Sequence, residues 1–241
     1  GHMQSDGALI QCMVGQQPDV QIRYNWLHDT EKFGARFDGE GDGYGGHMHH
    51  NVIWNVQGGI MVKGYEHNVY NNTAFDNREK NDIITMIDQG GNNGTLTVNN
   101  AANKIAGHRS GSYQDYPVPG IYDHNWNGYE TNEDIKDLLM DPENYDFRPL
   151  PDSDLVDTGL IVDAITDGFI GDAPDQGAYE YGGEIWVPGI SWDISEVFGD
   201  EFSEPEPMFD GSLFHVSING SNNGLIFGLF LGISNGWLCR Y

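Results

Sequence analysis

Basic side chains are scarce in this 241-residue chain, with 11 Lys and Arg against 37 Asp and Glu and a formal charge of −26. A nucleic-acid duplex would be repelled by such a surface, which excludes nucleic-acid binding over the whole protein. Cysteine is scarcer still. The two present, Cys12 and Cys239, lie near opposite ends with no Cys-x-x-Cys spacing, so neither a zinc ribbon nor a redox pair is readable, and they read as unpaired small hydrophobes. No window approaches the ~18 to 20 uninterrupted apolar residues that span a bilayer, since the run from Leu225 to Leu231 is short and broken by glycine. Helical periodicity is nearly absent, apart from a short candidate at Asn132 to Leu139 with Glu133 and Asp134 in its first turn.

What the chain has instead is 38% hydrophobic residues, enough for a core, and 33 glycines that punctuate short β runs. An acidic, glycine- and asparagine-rich surface fits a secreted protein whose self-repulsion is screened by salt. Gly1-His2-Met3 reads as a tag-cleavage scar, so a native signal peptide would not be in this sequence.

Four segments can be laid over one another: Val20 to Asn25, His47 to Asn51, Asn68 to Asn72 and Thr95 to Asn99. Their terminal asparagines repeat at the length of one solenoid coil, and asparagine suits a corner because it tolerates the left-handed conformation and its amide can bond the next coil. A second strand per coil follows, from Gly34 to Gly39, Gly59 to Gly64 and Asp82 to Ile87. Alternation sends Ala35, Phe37, Ile60, Val62, Ile83 and Thr85 inward and leaves Arg36, Asp38, Met61, Lys63, Ile84 and Met86 outward. A sandwich of hairpins would need Asn-Gly turns between neighbouring strands, whereas stacked parallel coils explain a pattern that repeats in one direction. The fold expected is therefore all-β, a parallel solenoid. The chain divides into a lead-in at 1–17, the solenoid with its closing segment at 18–190, and an acidic linker with a β-like tail at 191–241. No capping helix precedes Val20, which reads as a solenoid cut short at its ends.

The outward faces carry the candidate chemistry. Arg36 and Asp38 share a strand with Lys63 one coil away, while Arg23, His49 and Tyr70 stack on another strand beside Gln21, His47 and Asn68. β-Elimination from a uronate polysaccharide needs a cation to neutralise the carboxylate, a base for the C5 proton and an acid for the leaving oxygen. Arg36 or Arg23 fits the first role, Lys63 or His49 at an ordinary pKa the second, and Tyr70 or His50 the third. Asp38, Glu40 and Asp42 alternate with glycines like half of a calcium loop, which suggests Ca2+ completed by distant oxygens. Zinc at His47, His49 and His50 is disfavoured because alternation would point His49 and His50 to opposite faces. Aromatic groups such as Trp54, Tyr65 and Tyr70 could stack on sugars. For a glycoside hydrolase, Asp76, Asp82 and Asp88 would be the first carboxylates to consider.

The stretch from Met48-His49-His50-Asn51 through Gly59-Ile60-Met61-Val62-Lys63-Gly64 to Asn71-Asn72-Thr73 resembles the right-handed parallel β-helix repeats of secreted carbohydrate-active proteins. The runs Asp146-Phe147-Arg148-Pro149 and Pro174-Asp175-Gln176-Gly177-Ala178-Tyr179-Glu180 resemble the segment closing the solenoid in that group, which includes polysaccharide lyases of the alginate lyase and chondroitinase type. The resemblance implies a right-handed, single-stranded β-helix over about residues 18 to 190. It implies catalysis by a lysine and an arginine from neighbouring coils beside calcium, with Lys63 and Arg36 as the matching pair and Arg78 as the alternative arginine. The expectation is a secreted monomeric lyase of an alginate-like polysaccharide, with Arg23, His47, Asn68, Arg78 and Trp54 binding the chain. The alternatives are a non-catalytic carbohydrate-binding solenoid and a β-helix hydrolase or epimerase.

Overall fold

Short β runs that repeat in one direction across asparagine corners stack in parallel from coil to coil. A computed structural model describes residues 6–13, 15, 17–39 and 41–189; the expected linker and tail, Glu40 and Cys239 lie outside the described residues. The first coil contains β1 (Ala8–Cys12), β2 (Gln21–Arg23) and β3 (Trp26–His28), and the second β4 (Phe33–Phe37), β5 (His47–His49) and β6 (Val52–Trp54). The third contains β7 (Ile60–Val62), β8 (Asn68–Tyr70) and β9 (Thr73–Phe75), and the fourth β10 (Ile83–Thr85), β11 (Leu96–Val98) and β12 (Ala101–Ala102). The fifth contains β13 (Ile105–Ala106), β14 (Ile121–Asp123) and β15 (Trp126–Asn127). Strands of like place pair in parallel into three sheets, β1-β4-β7-β10-β13, β2-β5-β8-β11-β14 and β3-β6-β9-β12-β15. The chain is an all-β parallel solenoid, as its repeats imply. Each coil has three strands, however, where the repeats suggested two. The third follows the asparagine corner so closely that its two or three residues carry no alternation of their own.

The expected registers hold where the strands were legible: Gln21, His47 and Asn68 align, as do Arg23, His49 and Tyr70, and Arg36 aligns with Met61. Inside, Ile22, Met48 and Val69 stack on one wall, Leu27, Ile53 and Ala74 on the second, and Ala35, Ile60, Ile83 and Ile105 on the third. Each fully buried branched side chain contributes roughly 1.5–3 kcal/mol. Thr85 and Thr97 are buried in the interior and satisfy one another through a 3.1 Å hydroxyl contact.

The corner between the second and third sheets sets the stack. Asn25, Asn51, Asn72, Asn100 and Asn125 form a ladder in which each Nδ2 donates to the Oδ1 of the next at 2.9 Å. The fourth rung is Asn100, one residue beyond the expected Asn99. Two jobs assigned to a single asparagine are divided between neighbours: the residue before each rung takes the left-handed conformation, at Tyr24, His50, Asn71, Asn99 and His124. The rung amide thereby stays inside the corner, while the side chain before it is turned outward.

Beyond β15 the chain makes one helical turn, α1 (Gly128–Thr131), ended by left-handed Asn132, then a 3-10 turn at Ile135–Leu138 capped by Asp134. The helix expected over Asn132 to Leu139 shrinks to that 3-10 turn: Asn132 takes a left-handed φ of 63° that ends α1, and Leu139 already opens a strand. An antiparallel hairpin follows, β16 (Leu139–Asp141) with β17 (Asp146–Pro149). This closing segment lies over the outer face of the third sheet, where Ile135, Leu139, Phe147, Leu155 and Tyr179 pack on Val52, Phe75, Ala101 and Trp126.

Replacing a central rung should cost far more than a surface asparagine. In Asn72→Ala the Asn51 amide and the Asn100 Oδ1 each lose a buried partner, which predicts a loss of about 3 kcal/mol in denaturant unfolding, against less than about 0.5 for exposed Asn144→Ala; equal losses would contradict the ladder's role.

Candidate functional site

On the outer face of the first sheet, Asp38 follows β4 and Lys63 follows β7, one coil apart. Arg36 donates to Asp6 at 2.7 Å and Nη2 to Asp38 Oδ2 at 2.8 Å, and Lys63 pairs with Asp38 Oδ1. The outward row expected to meet substrate is instead a closed ion-pair cluster, with Arg36 only 3% and Lys63 8% exposed. Met61, Ile84 and Met86, expected to face solvent, are fully buried with Phe33 in a second apolar cluster. The Arg109 Nε lies 3.3 Å from the Met61 sulfur, and the Arg36 guanidinium sits 5.3 Å from the Phe33 ring centre. Both oxygens of Asp38 are therefore taken by cations, Asp42 is exposed, and Glu40 lies outside the described residues. Among the described residues no group of three or more His, Cys, Asp or Glu is arranged to hold a metal ion.

The outer face of the second sheet is arranged differently. The Arg23, His49 and Tyr70 row stands on β2, β5 and β8, with the His49 and Tyr70 rings stacked at 4.5 Å between centroids. His47 and Asn68 occupy the neighbouring row, half-buried. Alternation would turn His50 to the opposite side from His49, but it stops at the corner. Because His50 has a φ of 51°, its ring swings out and its Nδ1 meets His49 Nδ1 at 2.8 Å. Tyr24, at the same corner one coil away, stacks on His50 at 5.0 Å. Arg23 has no carboxylate partner among the described residues, and its Nε is buried without a hydrogen bond.

Burial governs the titration of this cluster. Loss of solvation, then the neighbouring His50 and Arg23, push the His49 pKa down to about 2, so it is not the ordinary imidazole that the sequence suggested. Burial and Arg23 lower His50 to about 4. Burial and Tyr24 raise Tyr70 to about 12. Both imidazoles are neutral at physiological pH, and the phenol keeps its proton.

The remaining expected site residues are elsewhere. Arg78 donates to the Thr30 and Asn55 carbonyls at 2.8 and 2.7 Å, at the corner after the third sheet. Trp54 stacks on His28 at 4.2 Å and lies against Phe147 of the closing segment, where it serves packing. Of the carboxylates considered for hydrolysis, Asp76 is paired with Lys136, Asp82 is fully buried and Asp88 is exposed, so they form no pair. Tyr24 as a member of the cluster, and the contact between the two histidines, were not anticipated. The signal was available, since both Tyr24 and His50 immediately precede a ladder asparagine.

No family model matches this chain, and no curated protein and no solved structure matches it. No helix among the described residues is long and apolar enough to cross a membrane.

A histidine held neutral in the folded state but free to protonate when unfolded makes stability rise with pH, because the unfolded chain binds more protons below about pH 6.5. His49 and His50 should therefore each remove roughly 1 kcal/mol per pH unit as pH falls from about 6.5 towards 4. Glu180 and Asp82, whose carboxyls are raised to about 7 mainly by burial, work in the opposite sense over the same range. The readout is accordingly a difference: the stability of His49→Gln should fall less steeply on acidification than that of the wild type, by about that slope. Parallel profiles would show that His49 is not held neutral.

Proposed function

We propose that the protein is a secreted, monomeric polysaccharide lyase that cleaves a uronate-containing polymer by β-elimination at the Arg23, His49, His50 and Tyr70 cluster. The observation that carries this reading is the Nδ1 to Nδ1 hydrogen bond between two neutral imidazoles. One proton occupies that bond. The ring donating it keeps a lone pair on Nε2, and the other ring must carry its own proton on Nε2. A neutral pair so joined supplies one base and one acid side by side. Arg23, free of any carboxylate among the described residues, would bind the uronate carboxylate and make the C5 proton acidic. The free Nε2 takes that proton as the shared proton crosses to the other Nδ1, the C4 to oxygen bond breaks as the C4 to C5 double bond forms, and the second Nε2 protonates the departing oxygen; both rings end neutral with exchanged tautomers, and Tyr70 holds the His49 ring by stacking. Asp38, one of the three expected calcium ligands, is paired with Arg36 and Lys63, and the scheme routes no step through it.

A non-catalytic glycan-binding solenoid is the second reading, and the same ion pairs favour it: with Arg36 and Lys63 engaged, fewer cations are left to draw an anionic polymer to a protein of charge −26.

Incubation with alginate, pectate and chondroitin should yield the ultraviolet absorbance of an unsaturated uronate. Arg23→Ala and His49→Gln should each lower kcat/KM by about 10²- to 10⁴-fold. Folded protein that produces no unsaturated product from any uronate polymer would sink the lyase, and glycan binding that is then lost in Arg23→Ala would assign the second reading.

A further inference from the structure

The corner that carries Tyr24, His50 and Asn71 faces the closing segment across a cleft of about 190 Å³. Aromatic rings form its walls: Tyr179 and Trp186 stack at 4.4 Å with planes 5° apart, and Trp186 meets Tyr24 edge-on at 5.2 Å. Asn71 lines the cleft at 2% exposure, and its Nδ2 donates to the Asp175 and Gly177 carbonyls at 2.9 and 3.3 Å. Its Oδ1 is buried with no hydrogen-bond partner. Opposite it, Glu180 accepts the Asp175 and Ile170 amides, one on each oxygen, at 3.2 and 3.3 Å, which leaves each oxygen a lone pair. Asp167 and Glu184 also line the cleft, and no Lys or Arg among the described residues does.

We propose that this cleft is a binding subsite for a single uncharged pyranose ring. An acceptor as deeply buried as Asn71 Oδ1 calls for a donor, and a sugar hydroxyl supplies one without bringing charge. The Trp186 and Tyr24 rings offer apolar surface to the C–H face of a sugar, with polar groups at the edge. The volume lies below the roughly 300–1,000 Å³ of sites that hold drug-sized ligands, so one ring fits where a longer oligosaccharide does not. The charge on the walls selects within that class. Asp167 and Glu184, with Glu180 part-protonated near neutrality and no cation among the described lining residues, repel a uronate, whereas Arg23, outside the cleft, attracts one.

Tyr24 and His50 both line the cleft, and Tyr24 lies beside Arg23 while His50 belongs to the proposed catalytic cluster, so a neutral ring seated here lies next to the uronate at Arg23. This extension rests on the proposed function: the polymer is a heteropolysaccharide in which a neutral sugar adjoins the uronate, in place of a pure uronate such as alginate.

The test is saturation-transfer NMR on the whole chain with methyl β-galactopyranoside, methyl β-glucopyranoside and methyl β-glucuronide. Both neutral glycosides are expected to receive saturation from the wild type, and at least one to bind tenfold or more weakly in Trp186→Ala and in Ile170→Trp. The second variant keeps the test independent of folding, because Ile170 is 52% exposed at the rim and its enlargement obstructs the cleft without entering the core. Glucuronide binding should survive Ile170→Trp. No saturation of either neutral glycoside by the wild type would overturn the proposal, as would neutral binding unchanged in both variants or a glucuronide that loses binding in Ile170→Trp alongside them. These readouts concern the cleft alone, so the absence of lyase product would leave a positive result standing.

Discussion

Everything in this solenoid depends on a buried amide ladder that fixes where each coil turns. An asparagine side chain inside a corner must satisfy two donors and an acceptor away from water, and leaving any of them unpaired costs about 1–3 kcal/mol. Stacking five such side chains satisfies the buried amides with one another and with strand carbonyls, as when Asn72 reaches the Met48 carbonyl and Asn100 the Val69 carbonyl. The arrangement tolerates loops of very different length elsewhere, which is why fourteen residues can separate β13 from β14 while their neighbours stay in register. It also forces the preceding residue into a left-handed conformation. One by-product of that geometry is that His50 and Tyr24 stand outside the sheet, because the corner needs the turn there.

The two cationic faces show what burial does to a charge. Arg36 and Lys63 sit where the resemblance placed a lyase's arginine and lysine, yet each is held by Asp38; burial alone does not separate the two faces, since His49 and Tyr70 are each only 5% exposed. Breaking a buried pair of this kind leaves an uncompensated ion, so the cluster is better suited to locking coils one to three together than to meeting a polymer. Arg23 is the reverse case, half-buried, unpaired among the described residues and bordered by groups that burial keeps neutral.

The repeats made the fold legible because their period is carried by residues with strict local demands, namely the ladder asparagines and the β-branched inner rows. The single slip, at Asn99 against Asn100, arose where two asparagines are adjacent and either one completes the motif. The third sheet was invisible for a physical reason: its strands have two or three residues, and both their faces are buried, the inner in the core and the outer beneath the closing segment, so no polar alternation marks them. The site was half legible. Register alone aligned Arg23, His49 and Tyr70, but period-two alternation misplaced His50 and gave no hint that Arg36 and Lys63 would be covered. The closing segment's contribution depends on contacts across a hundred residues of sequence, such as Asn71 with Asp175, which no local pattern encodes.

The central claim is that two neutral imidazoles share one proton at this corner, and nitrogen-15 NMR of the histidine rings tests it most directly. At pH 6 the account predicts that His49 and His50 are both neutral and occupy opposite tautomers, one protonated on Nδ1 and the other on Nε2. Two Nε2-protonated rings, or an imidazolium at either residue, would contradict it.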